Sequence, residues 1–311
     1  MEIRWDRLDT AAWQEALPPD ACAMQQSWRY GAAVAAHGRH VCRAEIRTTE
    51  GRALAQTIIR RAGPVTAGYL PRGPVGVCGP EILSALHRTL PGHGLRLLIV
   101  APETETPGLL PLVTPQTHAE LVLTEAATMR RRMHGKWRNR LSRAEEAKLK
   151  ITVTTPSRQE LQQLADLDRA QSRARGYCGL PPAFLSAWSE TPGPPPQLFS
   201  ARQRGETIAT MLFLDHPPGV TYQLGWSGDA GRAVSAHNLL LWRAMLHFAG
   251  RGRRRLDLGT LDTVTAPGLA RFKLGTGATV RRLGSTGLVL PWRPSPQPSA
   301  GSGSTTGTIL R

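Results

Sequence analysis

The sequence predicts a mixed α/β fold, α+β with mixed sheets, arranged as two domains, and three observations predict it. At 311 residues the chain exceeds one core on the usual scale of roughly 100–200 residues per domain. Its apolar fraction of 41% is enough to fill two. The pattern also changes at Thr124, where short apolar runs between turn residues give way to helical periods.

Before that change a helix is expected over 26–36, strands over 41–47 and 54–60, a helix over 80–89 and a strand over 95–100, with the Pro- and Gly-rich stretch 68–75 as a turn. After it, Ala126, Met129 and Met133 share one helical face, and Trp137, Leu141 and Ala144 repeat the spacing beyond Gly135. Two helices with exposed basic faces follow. A strand over 151–154, helices over 158–174 and 182–188 and a Pro-rich loop over 191–196 come next. Strands over 197–203, 207–214 and 220–226 then lead to a helix over 235–249, with Ser235 as its N-cap, and a strand over 254–258. Three strands joined by turns, an amphipathic helix and a strand make the element order at the centre of an N-acetyltransferase-like domain. The expected division is 1–124 with a return strand over 284–292, then 125–283, then a disordered tail over 293–311 that has too little apolar surface to order itself.

The net charge is +16, and the positive residues are weighted strongly toward Arg. Such a surface suits a polyanion: RNA, a nucleotide sugar or an anionic membrane face. The surplus is concentrated, because the stretch from Arg130 to Lys150 holds nine Lys or Arg against Glu145 and Glu146. Arg130, Arg131, Arg132, Lys136, Arg138 and Arg140 are therefore the expected RNA or phosphate ligands, acting on the backbone and not on bases. Cys22, Cys42, Cys78 and Cys178 form no C-x-x-C pair, and the histidines have no metal-binding spacing, so neither a metal nor another cofactor is expected. Gly275-Thr276-Gly277 lacks the lysine of a phosphate-binding loop. No basic segment followed by an apolar core opens the chain, and no apolar run approaches the ~18 residues that cross a bilayer. A cytoplasmic monomer with at most peripheral membrane contact is expected.

Four segments in order resemble the Fem family (FemABX), non-ribosomal aminoacyltransferases of the GNAT-like superfamily. They are Gln26-Ser27-Trp28, the stretch from Tyr69 to Val75 with its Pro-Arg-Gly-Pro turn, the run from Lys136 to Glu145, and Asp257-Leu258-Gly259 followed by Pro267-Gly268-Leu269 and Phe272-Lys273-x-Gly275. The resemblance implies two tandem GNAT-like N-acyltransferase domains and transfer of an aminoacyl group from aminoacyl-tRNA to an amine of a peptidoglycan precursor. It makes Lys273 the donor to the oxyanion of the transferred group, Phe272 a wall of the acceptor pocket, and Arg173 or Arg175 a contact for substrate phosphate. Tyr69, Arg72 and Trp28 become substrate-binding residues.

From their position after a strand, Asp257 and Asp262 are candidates for orienting the amine or a loop, with turn capping as the alternative. Two departures matter. The family's lysine shortly after the opening aromatic is missing beyond Trp28, which bears against a nucleotide-linked acceptor. The stretch from Gly228 to His237 keeps only Gly231-Arg232 of an acyl-CoA pyrophosphate loop. An acyl-CoA-dependent N-acyltransferase and an RNA-binding protein without activity remain as alternatives.

Overall fold

Apolar residues recurring every three or four positions along the helices give each one face to bury, whereas the strand Glu206–His216 is buried continuously from Ile208, and two sheets with helices against them accommodate both patterns. The computed structural model describes residues 1–19, 22–175 and 181–290. The first part of the chain runs β1 (Glu2–Trp5), α1 (Thr10–Ala16), α2 (Trp28–Ala36), β2 (His40–Arg47), β3 (Arg52–Ala62), β4 (Val65–Arg72), β5 (Val75–Gly76), α3 (Pro80–Thr89), β6 (Leu95–Pro102), β7 (Leu109–Val113) and β8 (Thr117–Val122). The second part runs α4 (Ala126–Arg132), α5 (Gly135–Glu146), β9 (Lys150–Thr154), α6 (Arg158–Arg175), α7 (Pro182–Glu190), β10 (Gln197–Gln203), β11 (Glu206–His216), β12 (Gly219–Ser227), α8 (Asp229–Ala233), α9 (Ala236–Gly250), β13 (Arg255–Thr260), α10 (Pro267–Gly275), β14 (Thr279–Arg282) and β15 (Thr286–Val289).

One sheet has the order β1-β2-β3-β4-β6-β15-β7, with β5 beside β3, and the other β14-β8-β13-β12-β11-β10-β9. Each contains one parallel pair, β4 with β6 and β12 with β13, and is otherwise antiparallel. Each sheet is thus mixed, as expected. β8 lies within the expected first domain, 1–124, yet pairs with β13 and β14 in the second sheet. The return strand is β15, which comes back to the first sheet between β6 and β7. The expected tail, 293–311, lies outside the described residues.

Two further expectations change. The stretch 68–75 is mostly strand, since β4 forms a parallel ladder with β6 from Val65 opposite Leu95 to Arg72 opposite Pro102, and only Gly73 and Pro74 turn. Long-range pairing overrides the local preference of Gly and Pro. The helix expected over 26–36 is α2 and begins at Trp28, where the Ser27 hydroxyl accepts from the Tyr30 amide at 3.2 Å and a single 3₁₀ turn at Met24–Gln26 precedes it. The paired helices α4 and α5 do bury Met129, Met133, Trp137, Leu141 and Ala144, as their spacing requires, in the core that α9 fills with Leu240, Leu241, Met245 and Phe248.

Where the two sheets meet, six ionised side chains form one cluster. Arg72, from the end of β4, donates through Nη1 to Glu103 at 2.8 Å and through Nη2 to Asp257 of β13 at 3.1 Å. Glu103 also pairs with Arg255 at 3.2 Å and with Arg281 of β14 at 2.6 Å. Glu120 of β8 completes the cluster by pairing with Arg255 and with Arg281 at 3.3 Å. Three cations meet three anions, nearly all of them buried. Removing one member strands a buried charge, which typically costs about 3–5 kcal/mol, whereas exposed pairs contribute little. Glu103→Ala is accordingly expected to lower the unfolding free energy by about 3 kcal/mol or more in urea titration. Removing the exposed Glu2 partner of Arg4 should leave the midpoint unchanged, and equal effects at the two positions would contradict this reading.

Candidate active site

Parallel β12 and β13 are hydrogen-bonded only at their beginnings, from Gly219 opposite Arg255 to Thr221 opposite Asp257. Beyond that point they part. The released edges, Tyr222 to Gly225 on one strand and Leu258 to Thr260 on the other, line a cleft of about 690 Å³. Met24, Gln25 and Arg72 from the first part of the chain line it too, so both sheets contribute to one site. The equivalent pair in the first sheet, β4 with β6, stays joined over its whole length and opens no such gap.

Lys273 and Phe272 reach this cleft from α10, which Pro267 starts at its first position. The Phe272 ring packs 6.1 Å from Trp137 of α5, whose Nε1 donates to the Phe272 carbonyl at 3.1 Å. Gly275 permits this contact, because a Cβ there would stand 2.6 Å from the Trp137 ring. Lys273 Nζ donates to the Thr260 carbonyl at 2.8 Å. Only 5% of the residue is exposed, and this burial pulls its pKa down to about 8 even though the Asp257 carboxylate opposes the shift.

Asp257 is held from several sides. Oδ1 accepts from the Gly259 amide at 2.7 Å and lies 3.2 Å from His118 Nδ1, while Oδ2 accepts from Arg72. Burial alone would raise its pKa, but the His118 contact, the Arg72 charge and the Gly259 amide together hold the carboxyl well below the usual carboxylate range. So placed, Asp257 is a poor proton acceptor and a good fixed charge. Asp262 caps the turn after β13, accepting from the Val264 amide at 2.9 Å and the Thr265 amide at 2.7 Å.

Arg72, Asp257, Phe272 and Lys273 therefore come together from distant parts of the chain. Trp28 does not join them, because its ring lies under the Arg43 guanidinium at 3.6 Å and edge-on to Trp13 at 6.1 Å. Tyr69 stands on β4, 40% exposed, and does not line the cleft. The neighbouring Gln26 serves the site indirectly, since its amide donates to the Arg72 carbonyl at 3.0 Å and fixes a residue with the left-handed φ of 66°. Arg173 and Arg175 fall in the last turn of α6, and their side chains, like Cys178, lie outside the described residues.

Among the basic residues, Arg140 lines the cleft. Arg130 is taken up in a bidentate pair with Glu145 at 2.9 and 2.8 Å, Arg131 donates to Thr128, and Arg138 caps the carbonyls of Arg131 and Met133. Arg132 and Lys136 are exposed. A recess of about 360 Å³ adjoins the cleft, sharing Arg140, Ser227, Arg232 and His237 with it and adding Arg143 and Asn238. It lies at the start of α9. Ser235 holds the N-cap position there with φ 56°, but its hydroxyl makes no capping bond.

His118, Glu103 and Arg255 escaped the sequence reading. No motif surrounds them, and their partners lie far away in the chain, 139 residues in the case of His118 and Asp257.

Residues 129–277 match the acetyltransferase (GNAT) domain family. Among solved structures, FemX superposes with a TM-score of 0.74 at 13% identity, covering 94% of this chain and 98% of that one. The C-terminal domain of a protein from Agrobacterium fabrum described as a lysylphosphatidylglycerol synthetase gives 0.51 at 17% identity, covering 85% and 86%. A conserved protein of unknown function from Bacteroides thetaiotaomicron VPI-5482 gives 0.55 at 10%, covering 93% and 100%. No curated protein matches the sequence. The chain has the two-domain GNAT-like fold, and the match to the acetyltransferase (GNAT) domain lies in its second part.

The state of Lys273 is directly measurable. In NMR titration with labelled lysine, the Lys273 side chain is expected to lose its proton with a midpoint near pH 8. A midpoint at the ordinary lysine value of 10.5 would mean that the ammonium is solvated and not buried at the cleft.

Proposed function

We propose that this chain, a GNAT-superfamily transferase with a Fem-type two-domain fold, moves an aminoacyl group from aminoacyl-tRNA to an amine of a peptidoglycan precursor or similar small acceptor. The observation that carries the reading is the buried Lys273 ammonium, tied to the Thr260 carbonyl in the wall of a cleft to which both sheets contribute.

Attack of an amine on an ester carbonyl needs the reactants held together, a proton removed and a sink for the charge on the carbonyl oxygen. Lys273 supplies the sink. A dry, fixed ammonium is far more effective there than a solvated one, and losing one such donor typically costs about 10²–10³ in rate. Phe272, fixed against Trp137, walls the acceptor side. Arg140 and Arg143 around the adjoining recess supply forks for donor phosphate, and exposed Arg132 and Lys136 extend the basic surface toward RNA. No helix among the described residues is long and apolar enough to cross a membrane. The reading places the enzyme in the cytoplasm, acting as a monomer on acceptors met there or at the membrane face.

A second reading, an N-acyltransferase using acyl-CoA, rests on the same recess. Gly231 approaches β11 so closely that a Cβ would stand 2.3 Å from the Ile208 carbonyl, and the recess would suit a pyrophosphate as well as an RNA backbone.

The test is transfer of label from mixed aminoacyl-tRNAs, and separately from acyl-CoAs, to UDP-muropeptide, lipid-linked and free amine acceptors. Transfer from tRNA is expected, with kcat lowered about 10²–10³ in Lys273→Ala. Because only the protonated lysine stabilises an oxyanion, wild-type activity should fall as pH rises through about 8. Transfer from acyl-CoA alone would favour the second reading. Tight RNA binding without any transfer would leave a binding protein.

A further inference from the structure

Lys273 accounts for the negative charge that acyl transfer develops, but not for the proton that the amine must lose. Asp257, held ionised and engaged by three partners, is too weak a base for that task. We propose that His118 is the general base, a catalytic residue that Asp257 orients and that faces the acceptor amine in the cleft. The inference rests on the acyl-transfer reading and deepens it.

His118 stands on β8, opposite Thr260 of β13 and Arg281 of β14 in the sheet register. It is 8% exposed, and what remains open lines the same cleft as Lys273, Phe272 and Asp257. Nδ1 lies 3.2 Å from Asp257 Oδ1 and 3.0 Å from Arg72 Nη2. A protonated Nδ1 can donate to the carboxylate, whereas a bare Nδ1 can accept from the guanidinium, and the two cannot hold together. The Nδ1 proton wins, because Arg72 already spends donors on Glu103 and on Oδ2 of the same carboxylate, and because Asp257 carries full negative charge. Nε2 is then bare. Among the described residues nothing hydrogen-bonds it, and it is not sealed within the core.

The charged groups around the ring are Asp257 of β13, Arg72 of β4, Arg281 of β14 and, across the cleft, Lys273 of α10. The Asp257 carboxylate at Nδ1 is placed to hold the ring in orientation and to stabilise the imidazolium that forms when Nε2 takes a proton. As the nitrogen–carbon bond forms, Nε2 takes the proton from the amine nitrogen, and the carbonyl oxygen becomes negative beside Lys273. When the bond from carbon to the leaving ester oxygen breaks, its electron pair departs with that oxygen. The same proton then passes from Nε2 to it. The C–N and O–H bonds form as the C–O and N–H bonds break, and no co-reactant is needed.

The test joins spectroscopy on the unaltered protein to kinetics on variants. Imidazole ¹⁵N shifts of His118 in wild-type protein, assigned by through-bond correlations, should report a bare Nε2 and a protonated Nδ1. In the transfer assay His118→Gln, which keeps a side-chain amide but no base, should lose about 10²–10⁴ in kcat with KM for both substrates within threefold. Added imidazole should restore the His118→Ala variant at least tenfold. A proton found on Nε2, or a His118→Gln enzyme within threefold of wild-type kcat, would overturn the assignment even if either variant folded poorly, since the first result needs only native protein. If the wild-type protein transferred no acyl group at all, the acyl-transfer reading itself would fall and this assignment with it. An active wild type whose His118 carries the other tautomer would overturn the base alone.

Discussion

The bond from Arg72 to Asp257 is the interaction on which the rest of this structure depends. It runs from the end of β4 in one sheet to β13 in the other, between residues 185 apart in sequence, and both ends are buried. Each partner needs the other, because a lone guanidinium or carboxylate at this depth would be strongly disfavoured. Each is also fixed by its own domain. Gln26 holds the Arg72 carbonyl from one side, and the Gly259 amide holds Asp257 from the other. The site is therefore a property of the two-sheet assembly and not of the acyltransferase domain by itself.

From this contact the chemistry follows in short steps. Asp257 marks the last rung at which β12 and β13 are joined, so the strand edges open immediately beyond a buried, immobile charge. The carboxylate ties down the start of the following turn through Gly259, and the carbonyl of the next residue, Thr260, receives the Lys273 ammonium. Burial makes that ammonium less willing to stay charged, and the nearby carboxylate counters the loss. The result is a cation dry enough to be effective and still protonated near neutral pH.

Much of this was readable in advance, and what was not has a common cause. The helical spacing of Met129, Met133, Trp137, Leu141 and Ala144 carries its own partners within one or two turns, so the sequence displays it. Lys273 and Phe272 were legible because Pro267 and Gly275 frame them with local chemistry: a helix start and a close approach to Trp137. Gln26-Ser27-Trp28 was legible as a motif but misleading as a binding element. Ser27 caps a helix, Trp28 supports Arg43, and Gln26 positions Arg72. The strand at β8 and its His118 have no local signature, and only pairing with β13 and β14 gives them a place. Charge counting had a similar limit, because the Arg130 partner, Glu145, sits on the next helix and removes that arginine from the free basic surface.

The most direct measurement is a double-mutant cycle on Arg72→Gln and Asp257→Asn, read in both unfolding free energy and kcat/KM for acyl transfer. If one cross-sheet contact supports both the assembly and the site, either change alone should cause most of the loss, and the double variant should be little worse than the poorer single one. Losses that simply add in both readouts would mean that the two residues act independently, and that the site does not depend on the junction between the sheets.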